Sequence, residues 1–123
     1  MGQIDGIAQL AISVSDVARA TAFYRDELGL KVLFSPSPQM VFLDCGGMRI
    51  LISNQGGTPG AMGTFIYFRT ADLKGLHARL APRVKFVEEP HVVARMPDRE
   101  IWLAALHDPD GNVLHLMSEV KPS

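Results

Sequence analysis

Only one of the 123 residues is a cysteine, Cys45, so no internal disulfide staples the chain. That usage fits a reducing, cytoplasmic setting. An excess of charge of one sign is missing as well. Twelve Lys and Arg stand against 13 Asp and Glu, for a formal net charge of -1. Neither nucleic acid nor an anionic membrane is offered an electrostatic handle. No apolar run approaches the roughly 20 residues that a membrane helix needs. No basic start leads into an apolar core, so no signal peptide is expected. Gly-rich phosphate loops, nucleophile elbows, CxxC pairs and HExxH helices are absent too. What is present is 47% hydrophobic and 20% charged, which excludes a disordered chain. A chain of this length suits one compact domain, 1–123, burying about two thirds of its unfolded surface.

The sequence then repeats itself. Ile7 to Val14 (IAQLAISV) predicts a strand, Ser15 or Asp16 offers a helix cap, and Val17, Ala20, Tyr24 and Leu28 mark one helical face. Gly29 closes that helix. Strands are predicted over Lys31 to Ser35 and Met40 to Leu43, separated by a Pro36/Pro38 loop, and over Arg49 to Ser53 after the Cys45-Gly46-Gly47 turn. Beyond a Gly/Pro-rich linker, 55–63, Thr64 to Arg69 is a strand and Asp72 a cap. Leu73, Leu76 and Leu80 lie at the same offsets from Asp72 as Val17, Ala20 and Tyr24 from Asp16. Pro82 ends this helix. Val84 to Val87, Ile101 to Leu106 and Val113 to Met117 follow as strands, the last entered through the Asp108-Pro109-Asp110-Gly111 turn.

A first module (1–54) and a second (64–120) thus each read strand, helix, three strands. One such unit cannot bury both faces of its sheet alone. The expected fold is α+β: two βαβββ repeats forming curled mixed sheets, with helices outside and a cup-shaped cavity inside.

The stretches SDVARATAFYRDELGL (15–30) and DPDGNVLHLMS (108–118) resemble the helix and hairpin motifs of the vicinal oxygen chelate superfamily. That superfamily includes glyoxalase I, extradiol dioxygenases, and bleomycin and fosfomycin resistance proteins. The resemblance implies the glyoxalase/bleomycin resistance fold. It also implies a metal at the mouth of the cup, held by the first and last strand of each repeat and chelating two neighbouring oxygens of a substrate. In this sequence the four positions are Gln9, Leu51, Phe65 and His115. Leu51 and Phe65 have no donor atom, and Gln9 with His115 falls short of the usual three protein ligands. No cofactor is therefore expected, a divalent metal on Gln9 and His115 being the alternative.

Alternation puts Val113 and Met117 beside His115, Ile7, Ala11 and Ser13 beside Gln9, and Tyr67 and Arg69 beside Phe65. Ile101, Leu103 and Ala105 line the strand before the hairpin. This is an apolar, aromatic-edged cavity with a few convergent polar groups, the composition of a small-molecule pocket. The expected ligand-binding residues are Gln9, Ser13, Phe65, Arg69, Leu103, Met117 and the rim residue His91. His115 and Tyr67 are the expected acid–base pair. Each also has a plainer reading: His115 as a cavity histidine bonded to Gln9 or Tyr67, Tyr67 as a half-buried aromatic, Arg69 as a cation reaching to water. His107 braces the following turn, His77 faces solvent, and Trp102 points away from the cup. A strand phase wrong by one residue would bring Arg49, Thr64 and Ile66 inward instead.

The expected function is binding of a small organic molecule in the cup without the usual metal. The alternative is a metal-dependent lyase, isomerase or dioxygenase with an atypical ligand set. Open sheet edges favour a homodimer.

Overall fold

The computed structural model describes residues 7–61 and 65–121. Thr64, expected to open the fifth strand, lies outside the described residues. The chain divides into two compact units, Met1–Met62 and Gly63–Ser123. Each unit runs strand, helix, three strands, and each carries one open, curled four-stranded sheet.

The first unit contains β1 (Gln9–Ser13), α1 (Val17–Ala22), β2 (Lys31–Ser37), β3 (Met40–Cys45) and β4 (Met48–Ser53), with sheet order β1-β4-β3-β2. The Asp16 carboxylate caps α1 by accepting the Arg19 amide at 3.0 Å, worth about 1 kcal/mol. The helix then widens into a π-helical turn, Phe23–Glu27, in which the Leu28 amide donates to the Phe23 carbonyl at 3.3 Å. Gly29, at φ +77°, closes it. Gly46 and Gly47, at φ +58° and +96°, form the two-residue turn between β3 and β4, a conformation cheap only for such residues. The expected Pro36/Pro38 loop is shorter than predicted. β2 continues through Pro36 to Ser37, because β2 is an edge strand whose register with β3 breaks between Phe34 and Ser37.

The second unit contains β5 (Ile66–Arg69), α2 (Leu73–Leu80), β6 (Phe86–Arg95), β7 (Glu100–His107) and β8 (Val113–Val120), with order β5-β8-β7-β6. Asp72 caps α2 through the Gly75 amide at 3.0 Å. Here β6 is much longer than the expected Val84 to Val87. It carries Pro90 because it too is an edge strand, and its register with β7 slips between Glu88 and His91. The turn before β8 is braced by Asp108, not by His107. Asp108 accepts the amides of Asp110 and Asn112 at 2.9 and 2.8 Å and the Asn112 side-chain amide at 2.8 Å. His107 instead closes the ladder opposite Val113. His77 is half-buried, its ring edge-on to Phe86 at 4.6 Å, where a solvent-facing side chain was expected.

Burial follows the period-2 pattern. Ile12, Leu43, Ile50 and Ile52 in the first unit, and Ala104, Leu106, Leu114 and Leu116 in the second, are essentially inaccessible. They form the helix side of each core with Val17, Ala20 and Tyr24, or with Leu73 and Leu80. Each large aliphatic side chain buried there contributes roughly 1.5–3 kcal/mol. Trp102 sits on the helix side as expected, with the Lys74 ammonium 4.5 Å over its ring. Among the described residues no helix is long and apolar enough to cross a membrane.

Candidate functional site

With Leu114, Leu116 and Ser118 turned towards α2, alternation leaves Val113, His115 and Met117 on the helix-free face of the second sheet. Register carries that face across the sheet. Tyr67 lies opposite His115, Arg69 and Leu103 flank Met117, Ala105 flanks His115, and His91 lies opposite Leu103. The structure thus brings together the site residues predicted for this repeat: Phe65, Tyr67, Arg69, His91, Leu103, His115 and Met117. The phase is the expected one, since Ile66 pairs with Leu114 and is buried.

His115 contacts two aromatic rings. Tyr67 stacks on it with centroids 4.6 Å apart and planes at 19°, and Phe65 meets it edge-on at 5.2 Å. Both imidazole nitrogens are covered and have no hydrogen-bond partner among the described residues. The expected bond from His115 to Tyr67 is not formed: Tyr67 offers its ring face. Phe65 and Tyr67 remain 61% and 48% exposed, so the aromatic surface around the histidine is open to a ligand.

Arg69 is exposed and makes no hydrogen bond or ion pair among the described residues. His91 is in mid-strand rather than at a strand end. Its Nδ1 donates to the Glu89 carbonyl at 2.8 Å, and Nε2 lies 3.9 Å from the Glu88 carboxylate. A groove of about 310 Å³ opens on the opposite face, beside Asp72, Lys74, Glu100, Trp102 and Lys121. It contains none of the predicted site residues.

In the first unit, the pair Ala11–Leu51 holds the register that Tyr67–His115 holds in the second. Gln9 and Ser13 share that face, as predicted. The Gln9 Oε1 accepts from Arg49 Nε at 3.0 Å. The Arg49 guanidinium lies 5.3 Å from the centroid of Phe42, on which Phe34 stacks at 4.7 Å. The Ser13 hydroxyl donates to the Gly56 carbonyl. Arg49 is the residue that sequence reasoning misplaced. It needs no shifted phase to share the face of Leu51, because it stands two residues away on the same strand.

A sequence profile of the Glyoxalase/Bleomycin resistance protein/Dioxygenase superfamily matches residues 6–116. The chain belongs to this superfamily. A comparison with curated proteins gave no match. Among solved structures, the glyoxalase fold is similar to an antibiotic-binding protein from Streptomyces sp. CB03234 (24% identity, TM-score 0.77, covering 97% of this chain and 99% of that one). It is also similar to lactoylglutathione lyase from Agrobacterium tumefaciens (23%, 0.71, 95% and 96%). A third likeness is to a virulence protein from Salmonella typhimurium (23%, 0.76, 95% and 98%). At these identities the likeness is one of fold.

Members of this superfamily often use a divalent metal, and the donor set here does not fit one. In the first unit, Leu51 has no lone pair and the Gln9 oxygen is already engaged by a guanidinium, which repels a cation at that atom. In the second, Phe65 contributes no donor beside His115. Among the described residues no group of three or more His, Cys, Asp or Glu could hold a metal ion. Burial, with the neighbouring Asp44 charge, pushes the Cys45 thiol up, away from the thiolate form that metals and electrophiles require.

Proposed function

We propose that this member of the glyoxalase/bleomycin resistance superfamily binds a small planar organic molecule on the helix-free face of its sheets, without a metal. The observation that carries the reading is His115, stacked on Tyr67 and met edge-on by Phe65, with both nitrogens covered and unpartnered among the described residues. Leaving a buried polar group unpaired costs about 1–3 kcal/mol. Groups left so are the exception in folded proteins and call for a functional explanation. A planar ligand laid against Tyr67 and Phe65 adds stacking, worth about 0.5–1.5 kcal/mol per aromatic pair, and supplies the missing hydrogen bond once a neighbouring side chain moves off the covered nitrogen.

Two further features support it. Leu51 and Phe65 put hydrocarbon at two of the positions where the superfamily resemblance expects metal donors. The fold is also shared with a protein described as antibiotic-binding. In this reading Tyr67, Phe65, Leu103 and Met117 hold the ligand by apolar contact, while Arg69 and His91 supply polar contacts, and Gln9 and Ser13 remain candidate contacts on the sheet of the first unit. His115 gives or takes the proton of a ligand hydroxyl. The working form is a cytoplasmic homodimer, consistent with the exposed Val32 and Leu33 on edge strand β2 and Val87 and Val93 on edge strand β6.

The test is a thermal-shift screen of planar aromatic compounds on chelator-treated protein, repeated with Phe65→Ala and Tyr67→Ala. Both side chains are exposed, so the variants keep the fold. Stabilisation by a compound in chelator, diminished in both variants, is the expected result. Stabilisation that appears only after metal is restored would favour a metal-dependent lyase, isomerase or dioxygenase instead.

A further inference from the structure

Gln9 and Leu51 occupy the first-repeat positions where the superfamily resemblance puts metal donors, and the cation found beside them is a side chain. We propose that Arg49 takes the place of that metal's positive charge, and that the ligand it selects is an aromatic carboxylate. The inference rests on the reading of the chain as a metal-free small-molecule binder and adds a site on the sheet of the first unit, with the ligand class it takes.

The geometry of Arg49 is that of a prepared carboxylate clamp. Its Nε donates to the Gln9 Oε1 at 3.0 Å, which fixes the guanidinium plane from one side. The guanidinium carbon lies over the Phe42 ring, 5.3 Å from its centroid, which gives the group a second point of contact. The terminal nitrogens, Nη1 and Nη2, have no partner among the described residues. Those two groups form a fork that matches the two oxygens of a carboxylate, as no single ammonium does. Holding the fork in place before binding removes part of the ordering cost that association otherwise carries.

Asp44 is the register partner of Arg49 on β3, but its Oδ1 accepts the Gly47 amide at 3.1 Å, and no ion pair joins it to Arg49 among the described residues. The remainder of the ligand is set by what surrounds the fork. Phe34, half exposed, stacks on Phe42 at 4.7 Å and 25°, so an aromatic shelf continues outward from the cation. A flat ring carrying a carboxylate meets both features at once.

The experiment is calorimetric titration of benzoate and 2-hydroxybenzoate against their neutral isosteres benzamide and 2-hydroxybenzamide. The proteins are the wild type, Arg49→Gln, Arg49→Lys and Arg83→Gln, all chelator-treated. Both arginines are exposed, so folding is unaffected, as a circular dichroism melt will confirm. Wild type is expected to prefer each carboxylate by about tenfold or more, the scale of a charge-assisted bond. Arg49→Gln is expected to erase the preference while leaving amide binding unchanged. Arg49→Lys, with charge but no fork, keeps a reduced preference, and Arg83→Gln, outside every residue assigned to a ligand, keeps it whole. Equal binding of acid and amide by wild type overturns the inference alone, as does a preference that survives Arg49→Gln or disappears in Arg83→Gln. Failure of wild type to bind either acid or amide overturns it too, and the thermal-shift screen on Phe65→Ala and Tyr67→Ala reads the metal-free binding separately.

Discussion

Tyr67 lies flat on His115 across the parallel pair β5–β8, with ring centroids 4.6 Å apart and planes 19° apart. Stacking leaves the imidazole nitrogens without a partner among the described residues, where a phenol–imidazole hydrogen bond would have satisfied one of them. His115 is therefore held in place by ring contacts while its polar capacity is unspent. That is the arrangement expected of a group kept for a ligand, with stability given up at the site.

If His115 is kept for function, removing its polarity stabilises the fold. His115→Leu is expected to raise unfolding free energy by about 1 kcal/mol, the low end of the cost of an unpaired buried polar group. The same variant is expected to lose most of its affinity for any ligand found in the screen. Urea denaturation and titration of that ligand measure the two effects. A loss of stability in His115→Leu would show that the imidazole is structurally paired.

Asp108 carries the opposite role. It is 4% exposed and satisfies two backbone amides and the Asn112 side chain. Asp108→Ala strands those donors, for an expected loss of roughly 2–3 kcal/mol. The same denaturation series reads it, and a loss under about 0.5 kcal/mol, the scale of an ordinary surface change, would contradict the role.

The Cys45 thiol is pushed up by burial first and by the Asp44 charge second. At neutral pH it therefore holds less thiolate than a free cysteine, and the thiolate is the nucleophile. Alkylation of the native protein by iodoacetamide at pH 7.5 is expected to be slower than that of glutathione. Its rate should still be climbing at pH values where the glutathione rate has levelled. Reaction faster than glutathione at neutral pH would contradict this.

Much of this molecule is legible in its sequence because period and punctuation agree. Asp16 and Asp72 stand where caps are needed, glycines stand at the tight turns, and alternation around Leu114 and Leu116 fixes the face of His115. The elements that were misjudged sit where local rules yield to position in the sheet. Pro36 and Pro90 look like strand breakers, yet an edge strand with a register slip accommodates each. The π-helical turn at Phe23–Glu27 leaves no distinct mark in the 3.6-residue stripe. Arg49 was readable from Leu51 by a step of two, but as a charged residue it did not stand out among candidate cup-lining groups. Whether Tyr67 bonds or stacks with His115 depends on side-chain rotation, which period-2 patterning does not encode.

The most direct test of the central claim, ligand binding without a metal, is the metal content of the purified protein. It is measured before and after loading with zinc, nickel, manganese and iron, with His115→Ala alongside. The account predicts metal far below one ion per chain under every condition, and no difference between the two proteins. About one ion per chain in the wild type, lost in His115→Ala, would contradict it.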